Sequence, residues 1–113
     1  RFTHWVRDQY LAPHDDPSER RGTWVFPREI LGGTEWLESL WDRRSAIDDH
    51  PALLVWGMRD VAFDPSALRT FQTLFRGSET VELDDVGHYV AEEAGDRLTD
   101  AMESFLAGLD DRD

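Results

Sequence analysis

The chain has 113 residues, enough for one domain at most, and its 40% hydrophobic and 12% aromatic content fits a folded chain rather than a disordered one. Its formal charge is −12, from 24 acidic and 12 basic residues, every basic one an Arg; this argues against nucleic acid and anionic membrane as partners, because phosphate binding needs a basic surface. The absence of Cys excludes disulfides and thiolate metal sites and leaves the compartment open.

The chain opens on Arg1, without an initiator Met, inside a helical pattern. That suggests a fragment or a processed chain. There is no signal peptide and no apolar run approaches the length of a membrane span, so a cytoplasmic location is the expectation. Residues 1–11 place Phe2, Trp5, Val6 and Tyr10 near one face at helical spacing. Ala12-Pro13-His14-Asp15-Asp16-Pro17 reads as a turn. Ser18 is a candidate cap for a short helix from Glu19 to Val25, Pro27 interrupts it, and residues 28–33 are loop-like, with Gly32-Gly33 as the stop. Thr34 is then the expected N-cap of a helix from Glu35 to about Asp48. Leu37 stands where a capping box would place Glu or Gln, so the cap is partial. That helix is expected to bury Trp36, Leu37, Leu40, Trp41 and Ile47, and Asp49-His50-Pro51 ends it.

Residues 52–56 form a continuous apolar run too short for a helix. It has the character of a strand covered on both faces in a parallel sheet. Gly57 opens the next loop. Asp64 caps a helix with Pro65 in its first turn. The helix runs to about Phe75, burying Leu68, Phe71, Leu74 and Phe75, and Gly77 stops it. Glu79 to Leu83 alternates, as a half-exposed strand near a sheet edge does. Gly87-His88 is a loop. A last helix from about Ala91 to Ala107 is expected to bury Leu98, Met102, Phe105 and Leu106, with Gly108 at its end and residues 110–113 as a frayed acidic tail.

Strand, helix, strand with this crossover length predicts a βαβ unit. Both of its loops then leave the same carboxyl edge of the sheet, where open α/β sheets place their chemistry. One loop carries Asp60 and the other His88. A carboxylate hydrogen-bonded to one imidazole nitrogen fixes the ring's tautomer and frees the other nitrogen to take a proton. Spacing alone leaves a plainer reading open, with Asp60 as a turn residue and His88 as a polar strand end.

Here PALLVWGMRDVAF, with VELDDVGHYVAEEAGDRL after it, resembles the C-terminal part of α/β-hydrolases, specifically the haloalkane dehalogenase-like group. In that group the acid loop comes after the penultimate strand with a W-G-x-x-D pattern, and the base loop reads G-H-[FY]-x-x-E-E. Tyr10-Leu11-Ala12-Pro13, with Arg20, Arg21 and Phe26-Pro27-Arg28-Glu29-Ile30, resembles the end of the group's helical cap and its return to the main sheet. The similarity covers about residues 8–106. It implies an α/β chain holding the last two parallel strands and flanking helices of a hydrolase core (34–109), preceded by the end of a cap (1–33). It also implies Asp60 as catalytic acid, His88 as base, and no cofactor or metal. The group hydrolyses through a covalent ester: an aspartate displaces halide, and the histidine then activates water. An esterase or epoxide hydrolase would use the same acid and base.

Two departures bear on that expectation. His14 stands where the group usually has Phe after the proline, facing the substrate cavity, so the cavity is more polar or the loop lies elsewhere. The larger one concerns order, which in this superfamily is nucleophile, acid, histidine. No G-x-S-x-G or G-x-D-x-G elbow occurs in the chain, and none of its six serines has an elbow context. The nucleophile is expected to lie before Arg1.

The remaining candidates have plain explanations. His4, His14 and His50 read as surface or loop residues; His14 with Asp15 and Asp16 could touch a metal, but such sets usually lack the geometry, and ordinary loop polarity is the plainer reading. Trp36, Trp41 and Trp56 read as core, with Trp5 and Trp24 undecided. Glu92 and Glu93 open the last helix, where negative charge suits the dipole. Two readings remain: part of a hydrolase acting on a small molecule once complete, or a non-catalytic assembly module. The expected partner is the missing N-terminal part or a second copy of the chain.

Overall fold

A computed structural model describes residues 3–110. The expectations for Phe2 and for the tail beyond Asp110 lie outside these residues. Contacts divide the chain into two units, Arg1–Arg43 and Arg44–Asp113. Among the described residues no helix is long and apolar enough to cross a membrane.

The first unit is helical. Helix α1 (His4–Leu11) is capped by Thr3, whose hydroxyl accepts the Val6 N–H at 3.3 Å. Two 3-10 turns come next, Ala12–His14 and Pro17–Arg20. The Arg20 guanidinium donates to the carbonyls of His14 (2.6 Å) and Asp15 (3.2 Å) and ties the turns together. The cap here is Asp16, not Ser18: its carboxylate accepts the Ser18 N–H at 2.8 Å. Helix α2 (Arg21–Gly32) then continues through Pro27, against the expected break. The proline removes the N–H that would bond the Thr23 carbonyl, but Thr23 is exposed, so water can take its place. Helix α3 (Thr34–Asp42) starts one residue early, with Gly33 at the N-cap and the Thr34 hydroxyl donating back to the Leu31 carbonyl. It also ends early, before a 3-10 turn at Arg44–Ala46.

Within this unit the expected core does not form. Trp36, Leu37, Leu40 and Trp41 are all exposed, as are Trp5 and Trp24. Three short helices offer too little apolar partner surface, and an amphipathic stripe stays wet without one.

The second unit is the expected strand–helix–strand. Strand β1 (Leu53–Gly57) pairs in parallel with β2 (Glu79–Leu83), Leu53 opposite Glu79 and Gly57 opposite Leu83. Helix α4 (Pro65–Leu74) connects them, with Asp64 as its N-cap accepting the Ser66 N–H at 2.8 Å. Gly77, at φ 89°, makes the turn into β2, a conformation that suits glycine. The last helix is in two pieces. The short α5 (Val90–Glu93) ends at Ala94, with φ −145°, and α6 (Gly95–Asp110) restarts the chain.

The core of this unit is small. Leu83, Val86 and Ala94 are buried together, with Val55, Val81 and Val90 packed around them. Leu68 is buried on α4. Leu53 to Trp56 are only half-buried, where a strand covered on both faces was expected. The sheet has two strands among the described residues, and helices α4, α5 and α6 meet β1. Phe71, Leu74 and Phe75 are half-buried, as are Leu98 and Phe105, while Met102, Leu106 and Ile47 are exposed.

Candidate active site

Beyond their last paired residues the two strands stay joined. The Met58 N–H donates to the Leu83 carbonyl at 3.0 Å and the Arg59 N–H to the Val86 carbonyl at 2.9 Å. The acid loop and the histidine loop therefore leave the sheet as a pair. Val86, 1% exposed, anchors the second loop from inside.

Gly57 is what lets the loops approach. A Cβ there would sit 2.1 Å from the Gly87 carbonyl oxygen and 2.8 Å from that of Val86. Both are backbone atoms with no rotamer to yield. Gly57→Ala is therefore expected to push the histidine loop away, at a cost of about 1–3 kcal/mol typical of overpacking. The check is thermal denaturation together with the NMR signature of the Asp60–His88 hydrogen bond, and both should change.

Asp60 is held on both oxygens. Its Oδ1 accepts the N–H groups of Ala62 (2.7 Å) and Phe63 (2.9 Å), which folds the acid loop around the carboxylate. Its Oδ2 lies 2.9 Å from His88 Nδ1. The side chain of Asp60 is 9% exposed and that of His88 40%. Burial alone would raise the Asp60 carboxyl. The Phe63 N–H, the His88 imidazole and the Ala62 N–H together outweigh burial and hold it below the usual carboxylate value. An ionised carboxylate only accepts, so His88 Nδ1 carries the proton and Nε2 is left as the basic nitrogen.

Aromatic rings frame the imidazole. Phe63 stacks on it with centroids 5.6 Å apart at 23°, and Tyr89 meets it edge-on at 5.1 Å and 82°. Trp56 proves to be more than core. Its indole N–H donates to the Phe63 carbonyl at 2.8 Å while its ring tilts against Phe71. It thus ties the acid loop to helix α4. Nothing in the one-dimensional pattern marks that role, because a tryptophan ending an apolar strand looks like core.

Glu93 also departs from expectation. It lies at the end of α5, not in the first turn of the long helix, and its carboxylate turns back to the histidine loop. Oε2 accepts the Gly87 N–H at 3.0 Å and Oε1 the Tyr89 N–H at 3.2 Å. Asp85 braces the same loop through a two-point contact with Arg97 on α6, at 2.8 and 3.1 Å. That contact holds the Asp85 carboxyl below its usual value.

The structure thus brings together the two residues singled out for chemistry, Asp60 and His88. His4, His14 and His50 are exposed. Asp16 is engaged as a cap, and among the described residues no group of three or more His, Cys, Asp or Glu could hold a metal ion.

No family model matches the chain. Curated relatives do. A cis-3-alkyl-4-alkyloxetan-2-one decarboxylase from Xanthomonas campestris pv. campestris is 34% identical over 106 residues, covering 89% of this chain and 35% of that protein. Haloalkane dehalogenase 2 from Mycobacterium tuberculosis is 33% identical over 99 residues, covering 86% of this chain and 35% of that protein. A second alkyloxetanone decarboxylase, from Shewanella oneidensis, is 25% identical over 107 residues, covering 90% and 34%. The chain spans about a third of the length of the curated relatives it matches.

Proposed function

Because this chain belongs to the α/β-hydrolase superfamily, where it matches the C-terminal portion of haloalkane dehalogenase-like members, we propose that it supplies the acid and the base of a hydrolase that works through a covalent ester. The observation that carries this is the 2.9 Å contact between Asp60 Oδ2 and His88 Nδ1 on two loops sewn together at one sheet edge. In this reading Nε2 of His88 takes a proton from the water that attacks the ester carbonyl. Asp60 stabilises the imidazolium so formed and keeps the ring in the productive tautomer. The nucleophile comes from outside these 113 residues.

The isolated polypeptide should therefore turn over neither haloalkanes nor p-nitrophenyl esters. Joined to a polypeptide that carries a nucleophile elbow, it should gain hydrolysis. Turnover by the purified chain alone that disappears in His88→Ala would reveal a nucleophile within it.

A second reading has its own support. The Xanthomonas relative, a decarboxylase of 2-oxetanones by name, covers most of this chain at 34% identity. The same acid and base would then serve a strained cyclic ester. Release of carbon dioxide from a 2-oxetanone, against release of halide from a haloalkane, separates the two.

A further inference from the structure

We propose that Glu93 is a positioning residue for His88: its carboxylate grips the backbone on both sides of the histidine and so holds the imidazole against Asp60. The N–H groups it accepts belong to Gly87 and Tyr89, the two residues that flank His88. The Gly87 peptide is held from the other side as well, since its carbonyl rests against Gly57 with no room for a side chain between them. The strand end and the carboxylate thus confine the residue before the histidine. Tyr89, held by the same carboxylate, places its ring edge-on to the imidazole.

Glu93 can serve in this way because its own backbone is anchored. The next residue, Ala94, is buried in the small core with Leu83 and Val86, so the segment that carries Glu93 is fixed to the sheet. The imidazole itself is 40% exposed and is hydrogen-bonded to Asp60. Its placement depends on the backbone beneath it as well as on the rings of Phe63 and Tyr89.

The plainer explanation is that Glu93 caps the four-residue helix α5. That accounts for the Tyr89 N–H, which belongs to the helix N-cap. It does not account for the Gly87 N–H, which lies outside the helix and is no orphan donor of it. A carboxylate that spans both is placed for the loop.

The geometry stands on these contacts alone; its consequence for turnover rests on the acid–base reading above. The test is ring-nitrogen NMR of His88 in the assembly the chain forms, above the pH at which the imidazole is protonated. With the loop gripped, the neutral ring should carry its proton on Nδ1, facing Asp60. An unrestrained imidazole favours Nε2. Asp60→Asn gives the signature of a ring released from the carboxylate. Glu93→Ala is expected to lose the Nδ1-protonated form while circular dichroism shows the fold retained. Glu93→Gln, which keeps one strong acceptor, should restore part of it. If Glu93→Ala does not fold, Glu93→Gln decides by the same criterion, a fall in the Nδ1-protonated form. A folded Glu93→Ala that keeps the parent tautomer, or a Glu93→Gln that keeps it in full where Glu93→Ala does not fold, would overturn the proposal and leave Glu93 as a helix cap. No hydrolysis enters this measurement, so failure of the hydrolase reading would not touch it.

Discussion

His88→Ala is expected to lower steady-state hydrolysis by the completed enzyme about 10⁴-fold or more, the scale on which removal of a histidine base acts when it works as part of a unit. The way in which turnover fails should identify the missing nucleophile. A carboxylate nucleophile is already ionised and needs no base to attack, so the first step survives without His88. One equivalent of halide is then released per active site, and the ester stays on the protein because no base activates water. A serine nucleophile must give up a proton on attack, so with serine both steps stop and no burst is seen. Rapid quench with halide detection, together with intact mass, distinguishes the two. Asp60→Asn should act through the same ring, because an amide NH₂ facing Nδ1 favours the tautomer with its proton on Nε2, the nitrogen that must be basic. Unimpaired turnover in either variant would remove the acid–base assignment.

Purified alone at micromolar concentration, the chain is expected not to behave as a stable monomer. Strand β1 is apolar from Leu53 to Trp56 yet only half-buried, and the described sheet has β2 as its one partner. Its other edge joins no second ladder among the described residues. An unpaired buried group costs roughly 1–3 kcal/mol, against a total stability of about 5–15 kcal/mol for a domain. An open apolar edge also templates pairing with another chain. The core adds little to offset this: Leu68, Leu83, Val86 and Ala94 are the buried hydrophobic residues among those described, while Trp5, Trp24, Trp36 and Trp41 stay exposed. We propose that the chain pairs with the N-terminal part of a hydrolase, or with a copy of itself through sheet edges or exchanged helices. Light scattering should show an assembly or a polydisperse state. A sharp monomer peak with cooperative thermal unfolding would defeat this expectation.

The sequence by itself determined the strand–helix–strand unit and the two loops that carry Asp60 and His88. Those signals are local. An unbroken apolar run, an Asp-Pro helix start and a glycine stop each act over a few residues, and parallel pairing then leaves both loops at one sheet edge. Burial was less legible. Trp36, Leu37, Leu40 and Trp41 have the spacing of a core face, but spacing says which residues want a partner and not whether one is within reach. Pro27 misled for a related reason, since an exposed helix can hydrate the carbonyl that proline leaves bare. Only the tertiary structure decided how the histidine loop is held. Gly57 against Gly87, Trp56 on the Phe63 carbonyl and Glu93 across His88 are contacts made onto backbone groups, between segments far apart in the chain or across a turn. They depend on where carbonyls and N–H groups point once the strands have paired, and a linear pattern of side-chain types does not encode those directions.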